Sequence, residues 1–143
     1  MFRFKVTDID ENNTAYDDLF LETTEEIKTK GRGKQGKLLY KYIIKEPFIP
    51  YFNAWLPIRE MIMKENNQEH DFLFIKTDGS PAKADDGQRW MTRWEYYLTN
   101  EDPSNPEHIP VHMYAHCLRH YLCSFLSRVG LEQELIVELF GWS

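Results

Sequence analysis

The sequence predicts a mixed α+β domain, mainly helical, with a small antiparallel β-sheet. Three observations carry that prediction. Two β-rich runs, Glu22 to Lys30 and Lys37 to Lys45, flank a glycine-rich turn. Trp90, Met91, Trp94, Tyr97 and Leu98 fall at i, i+1, i+4, i+7 and i+8, the repeat of a helix that buries one aromatic side. The last 28 residues then read as two helices separated at Gly130, a residue suited to ending the first of them.

The elements follow in order. The second β-rich run holds Leu38, Leu39, Tyr40, Tyr42, Ile43 and Ile44, and the segment Gly31-Arg32-Gly33-Lys34-Gln35-Gly36 makes the pair a hairpin with a basic tip. Residues 47 to 65 suit a helix, with Pro47 in its first turn and Phe48, Ile49, Phe52, Trp55 and Leu56 on one face. Pro50 and Pro57 argue against an undisturbed helix there. Asp71 to Ile75 suits a short strand and Thr77-Asp78-Gly79-Ser80-Pro81 a turn. Residues 99 to 110, with Pro103, Pro106 and Pro110, suit a loop.

At 143 residues the chain is expected to be one domain, 1–143, with a core that needs neither disulfide nor structural metal. No run of about 20 apolar residues is present, so no transmembrane helix is expected. Met1 to Lys5 does not lead into a signal peptide, because acidic residues begin at Asp8. Cys117 and Cys123, six residues apart on one helix, are expected as reduced thiols in a cytoplasmic protein. The net charge of −6 weighs against nucleic-acid binding, which draws its affinity from phosphate contacts. Its distribution tempers that. Eight carboxylates lie between Asp8 and Glu26, whereas Ile27 to Lys45 holds seven Lys or Arg and no acid. Such segregation can leave one basic face on an acidic molecule.

The chemistry concentrates at the C-terminal end. At 100° per residue, Leu118, Leu122, Phe125, Leu126 and Val129 cluster on one side of the helix, while His116, Arg119, His120 and Cys123 cluster about 130° away. Arg119 is therefore not committed to the core stripe. Alone, a His-x-x-Arg pair is best read as a solvated polar face. The second helix closes with Leu139-Phe140-Gly141-Trp142-Ser143, which sets Trp142 23 residues after Arg119.

His116-x-x-Arg119-His120, the Gly130 break, that 23-residue interval and the closing Phe140-Gly141-Trp142-Ser143 together resemble the tyrosine recombinases, or phage integrase family. Two earlier segments are similar: Val6 to Asp10 to the family's strand entry, and Lys28-Thr29-Lys30-Gly31 to its lysine-bearing hairpin. The resemblance implies the family's DNA breaking-rejoining catalytic-domain fold and site-specific recombination of double-stranded DNA through a 3′-phosphotyrosyl intermediate. It implies no cofactor or metal, tetramers on paired DNA sites, and a bacterial or phage-encoded protein of the cytoplasm. Arg119 matches the second of two arginines that hold the non-bridging phosphate oxygens, a task that suits a planar, permanently charged fork. His116 matches the histidine that assists proton movement at the nucleophile. Trp142 stands where the family usually has His; an indole N–H only donates, so it can bind an oxygen or pack but cannot shuttle protons. Lys30, or else Lys34, matches the general acid. A solvated or phosphate-contacting lysine is an equal reading of either. The family's first arginine falls before Met1 and its nucleophilic Tyr beyond Ser143, so a fragment inactive by itself is expected. The alternative is a non-catalytic DNA- or protein-binding domain of the same fold.

Two other motifs carry less. Gly31 to Lys37 fits G-x-x-x-x-G-K, but Leu38 replaces the Mg²⁺-binding hydroxyl and a β-like run replaces the helix of a P-loop. His108, His112, His116 and His120 repeat every four residues, but Pro110 interrupts any helix that would align them on a metal.

Overall fold

The computed structural model describes residues 3–28, 38–100 and 112–142. The chain divides into two compact units, Met1–Ala82 and Lys83–Ser143.

In the first unit, strands β1 (Thr14–Ala15), β2 (Phe20–Glu22) and β5 (Tyr42–Ile44) form a three-stranded antiparallel sheet in the order β1-β2-β5. β2 is the central strand and buries both Phe20 and Leu21. At its end Thr23, 1% exposed, extends the β2–β5 ladder: its N–H donates to the Lys41 carbonyl, while its Oγ accepts the Lys41 N–H at 2.9 Å. The β1–β2 turn carries three successive left-handed residues, Tyr16, Asp17 and Asp18. Packing offsets that strain, since the Tyr16 ring meets Phe20 and Tyr42 edge-on at 5.9 and 5.5 Å.

The expected hairpin is present at its base. β3 (Ile27–Lys28) pairs antiparallel with β4 (Leu38–Leu39), Ile27 opposite Leu39 and Lys28 opposite Leu38. Its basic tip, including Lys30 and Lys34, lies outside the described residues. The second β-rich run thus serves two sheets, β4 in the hairpin and β5 beside β2. Val6 to Asp8, in the segment likened to the family's strand entry, is a 3-10 turn. The local bonding explains it: the Asp8 carboxylate accepts the Lys5 N–H at 2.7 Å, and the Asp8 N–H returns to the Lys5 carbonyl. Val6 to Ile9 is also tied outward, by the Val6 N–H to the Asp71 carbonyl.

Helix α1 (Lys45–Glu65) runs unbroken through Pro50 and Pro57. The two prolines are seven residues apart and share an exposed face with Glu46 and Asn53, whose carbonyls lose their N–H partners. Water can satisfy those carbonyls, so the helix survives. Its opposite face buries Phe52, Arg59 and Met63. Arg59, only 8% exposed, donates through Nε to the Phe72 carbonyl at 2.8 Å and through a terminal nitrogen to the His70 carbonyl. Trp55 adds an indole N–H to the Leu73 carbonyl at 2.8 Å. Segment 70–75, expected as a strand, has only isolated bridges, Lys5 with Phe72 and Ile75 with Pro81. These side chains hold it together with backbone bonds such as the Leu73 N–H to the Phe4 carbonyl. Leu73, Ile75 and Ala82 complete the core.

The second unit holds α2 (Ala84–Asn100), α3 (Ala115–Arg128) and α4 (Gln133–Phe140). The helices fall where the periodicity expects them, but their apolar stripes are less covered than expected. On α2, Trp94, Tyr97 and Leu98 are exposed. On α3, Leu126 is buried but Leu118 and Phe125 are exposed, as is Val129 just past its end. Periodicity shows which side of a helix is apolar; the eight residues of α4 are too few to cover the whole length of α3. Among the described residues no helix is long and apolar enough to cross a membrane.

Candidate functional site: the α3–α4 pair

The turn between α3 and α4 is set by glycine. At the end of α3, Gly130 is left-handed (φ 91°), its N–H bonds the Ser127 carbonyl, and the Leu131 N–H bonds the Leu126 carbonyl. The same arrangement closes α4: Gly141 is left-handed (φ 63°), its N–H reaches the Glu138 carbonyl, and the Trp142 N–H reaches the Val137 carbonyl at 2.9 Å. Both ends are Schellman motifs. The second one matters for the site, because it turns the chain back and fixes the backbone from which the Trp142 ring projects.

The Trp142 ring stacks on that of Phe140, with centroids 4.9 Å apart and planes 18° from parallel. Arg119, half-buried one turn along α3 from His116, reaches this pair. Its Cζ lies 4.9 Å from the Trp142 ring centre and 5.2 Å from that of Phe140. Its terminal nitrogen donates to the Phe140 carbonyl at 2.9 Å. No carboxylate among the described residues forms an ion pair with Arg119. A guanidinium has five N–H donors, and a contact with an aromatic face consumes none of them. Arg119 is thus anchored yet still able to bind an anion.

Of the expected residues, Arg119 and Trp142 are therefore in direct contact. His116 is exposed on the first turn of α3, its ring 6.4 Å from that of His120, and shares the polar face with Arg119 by their three-residue spacing. Lys30 and Lys34 lie outside the described residues. Cys117 accepts the Tyr114 N–H through its sulfur at 3.3 Å, at the start of α3. His112 stands before that helix and pairs through Nδ1 with Glu95 at 3.2 Å, while His108 lies outside the described residues. Among the described residues no three His, Cys, Asp or Glu side chains cluster as a metal site.

Two contributors were not legible in the motif. Phe140 supplies a ring and a carbonyl to Arg119; its position two residues before Trp142, across a glycine, is the signal that could have found it. Glu95 on α2 accepts the Met113 N–H at 2.8 Å as well as His112, and so holds the segment leading into α3. The Met113 N–H, with His112 behind it, holds the Glu95 carboxyl below the usual carboxylate range.

Comparison with known proteins extends this picture. Two solved structures of the Tn1549 transposon integrase share the fold. The one in complex with transposon right end DNA has a TM-score of 0.57 at 17% identity and covers 99% of this chain and 45% of that one. The one in complex with a circular intermediate DNA has a TM-score of 0.54 at 16% identity and covers 98% of this chain and 47% of that one. The chain thus spans about half the length of these structures. No curated protein matches. The sequence model of the phage integrase family matches residues 6–143, through both compact units and to the last residue of the motif that holds Arg119 and Trp142. The chain belongs to the phage integrase family, the tyrosine recombinases.

Proposed function

We propose that this chain is the catalytic region of a site-specific DNA recombinase and that both units belong to one catalytic domain. Double-stranded DNA is its partner, and the reaction proceeds by strand cleavage and rejoining through a 3′-phosphotyrosyl link. The observation that carries this reading is the Arg119 guanidinium, held by Phe140 and Trp142 with N–H donors uncommitted. Such a group stabilises charge on a transferring phosphoryl centre, usually the largest contribution to a reaction of this kind. His116, on the same helical face, assists proton movement at the nucleophile. Lys30, or else Lys34, protonates the leaving 5′-oxygen, a step suited to an amine side chain that carries a proton to give. Trp142 binds or packs and moves no proton. The first arginine and the nucleophilic Tyr are supplied from outside these 143 residues, and the working assembly is a tetramer on paired sites. Family membership and the integrase–DNA structures that share the fold support the reading.

The experiment has two arms. Duplex DNA should bind with an affinity that falls steeply as salt rises, and Arg119→Ala should weaken it while helix content stays unchanged. On a nicked suicide duplex a polypeptide of these 143 residues should form no covalent adduct; a denaturant-resistant protein–DNA band would overturn the assignment of the nucleophile. The net charge of −6 favours a second reading, a protein-binding domain of the same fold. Absence of salt-sensitive duplex binding would select it.

A further inference from the structure

Residue 140 has no chemical group suited to phosphoryl transfer, yet it touches the guanidinium twice. The distances from the Arg119 Cζ to the two ring centres, and between those centres, are 4.9, 5.2 and 4.9 Å. These form a nearly equilateral triangle, so the guanidinium meets both rings at once and does not sit beyond one of them. The Phe140 carbonyl takes one N–H at 2.9 Å. The arrangement is local to three residues and the Gly141 turn, whose Schellman bonds return the Trp142 ring to Phe140. An arginine side chain has several freely rotating bonds, and ordering them on ligand binding costs affinity. A stacked aromatic pair removes part of that freedom beforehand and leaves hydrogen-bond donors available.

We propose that Phe140 is a positioning residue for the phosphate-binding guanidinium. Its ring, stacked with Trp142, and its carbonyl together set the orientation of Arg119. The proposal rests on the recombinase reading for its functional consequence, but its structural core does not.

Phe140→Leu removes the ring and keeps the carbonyl, and Phe140→Tyr restores an aromatic face. The order of the Arg119 side chain is read by nuclear magnetic resonance of the Arg119 Nε–H in the full 143-residue chain, with helix content followed by circular dichroism. Arg119 should be ordered in the parent and in Phe140→Tyr, and mobile in Phe140→Leu. Affinity for a nicked duplex oligonucleotide should fall roughly two- to fivefold in Phe140→Leu and recover in Phe140→Tyr. Should Phe140→Leu fail to fold, Trp142→Leu takes its place: Trp142 is 41% exposed, and its loss removes the other half of the pair. Equal order of Arg119 in the parent and the leucine variant overturns the proposal. If Arg119 order depends on the aromatic pair while the parent binds no duplex, the positioning role stands and the recombinase reading falls. If the parent binds duplex through Arg119 and the leucine variant changes neither order nor affinity, the reverse holds.

Discussion

Arg119 and Arg59 show how differently one residue type is used within a single chain. Both donate to backbone carbonyls, Arg119 to Phe140 and Arg59 to Phe72 and His70. Arg59 is buried, and the carbonyls it binds belong to a segment with little strand pairing of its own. Replacing it by Ala leaves two carbonyls without their charged donor and empties a core position. A loss of about 2–4 kcal/mol is expected, read as a lowered urea midpoint. Arg119→Ala should by contrast cost little stability, because its side chain is only half-buried and its anchoring is local. A large stability loss there would mark Arg119 as structural instead of phosphate-binding. His-x-x-Arg was visible as a motif. Arg59 was not, because it occupies the apolar stripe of α1, where periodicity expects a hydrophobic residue.

At the scale of elements, glycines and a carboxylate govern the second unit. Gly141→Ala places a Cβ in a left-handed conformation, at a cost of about 1–2 kcal/mol, and loosens the turn that returns Trp142 to Phe140. Arg119 order should fall with it, and the same nuclear magnetic resonance measurement checks this. In the first unit, Gly79 combines a φ of 75° with a would-be Cβ only 2.8 Å from the Gln68 side chain, so Gly79→Ala should lower the thermal midpoint. Glu95 sets a pH dependence. Its carboxyl is lower in the folded state than in the unfolded chain, first through the Met113 N–H. Its contribution is therefore complete above the ordinary carboxylate value and lost as pH falls through the lowered folded value. Resonances of Met113 and His112 should shift in that acid range, and Glu95→Gln should abolish the part of the shift due to Glu95. Gly130 was legible, since a glycine after a periodic stretch predicts a stop; Gly141 was read only as part of the closing motif, and its capping role came from the structure. Glu95 was not, because its partner is a backbone N–H that could belong to any residue.

For the whole molecule, the acidic balance and the proposed DNA partner pull against each other. If the basic run from Ile27 to Lys45 binds the DNA backbone, replacing Lys28 and Lys41 by Gln should reduce the slope of log affinity against log salt, by about one for each phosphate no longer neutralised. An unchanged slope would move the DNA-binding surface elsewhere. The fold class, the hairpin base at Ile27–Lys28 and Leu38–Leu39, and the α-helices among the described residues could be read from periodicity and turn residues. The split of the second β-rich run between two sheets could not, because alternation shows that a strand exists and not which strand it joins.

By itself the sequence determined the helices and the Gly130 stop, since these depend on local backbone preference and helical repeat; that Arg119 and Trp142 come together was only what the family resemblance implied. Only the tertiary structure decided that the Arg119 guanidinium rests against two stacked rings, that Arg59 lies buried among carbonyls, and that the apolar faces of α2 and α3 are partly uncovered. A periodic pattern shows the direction a side chain takes from its own helix. What it meets there depends on residues distant in the chain, and so on packing.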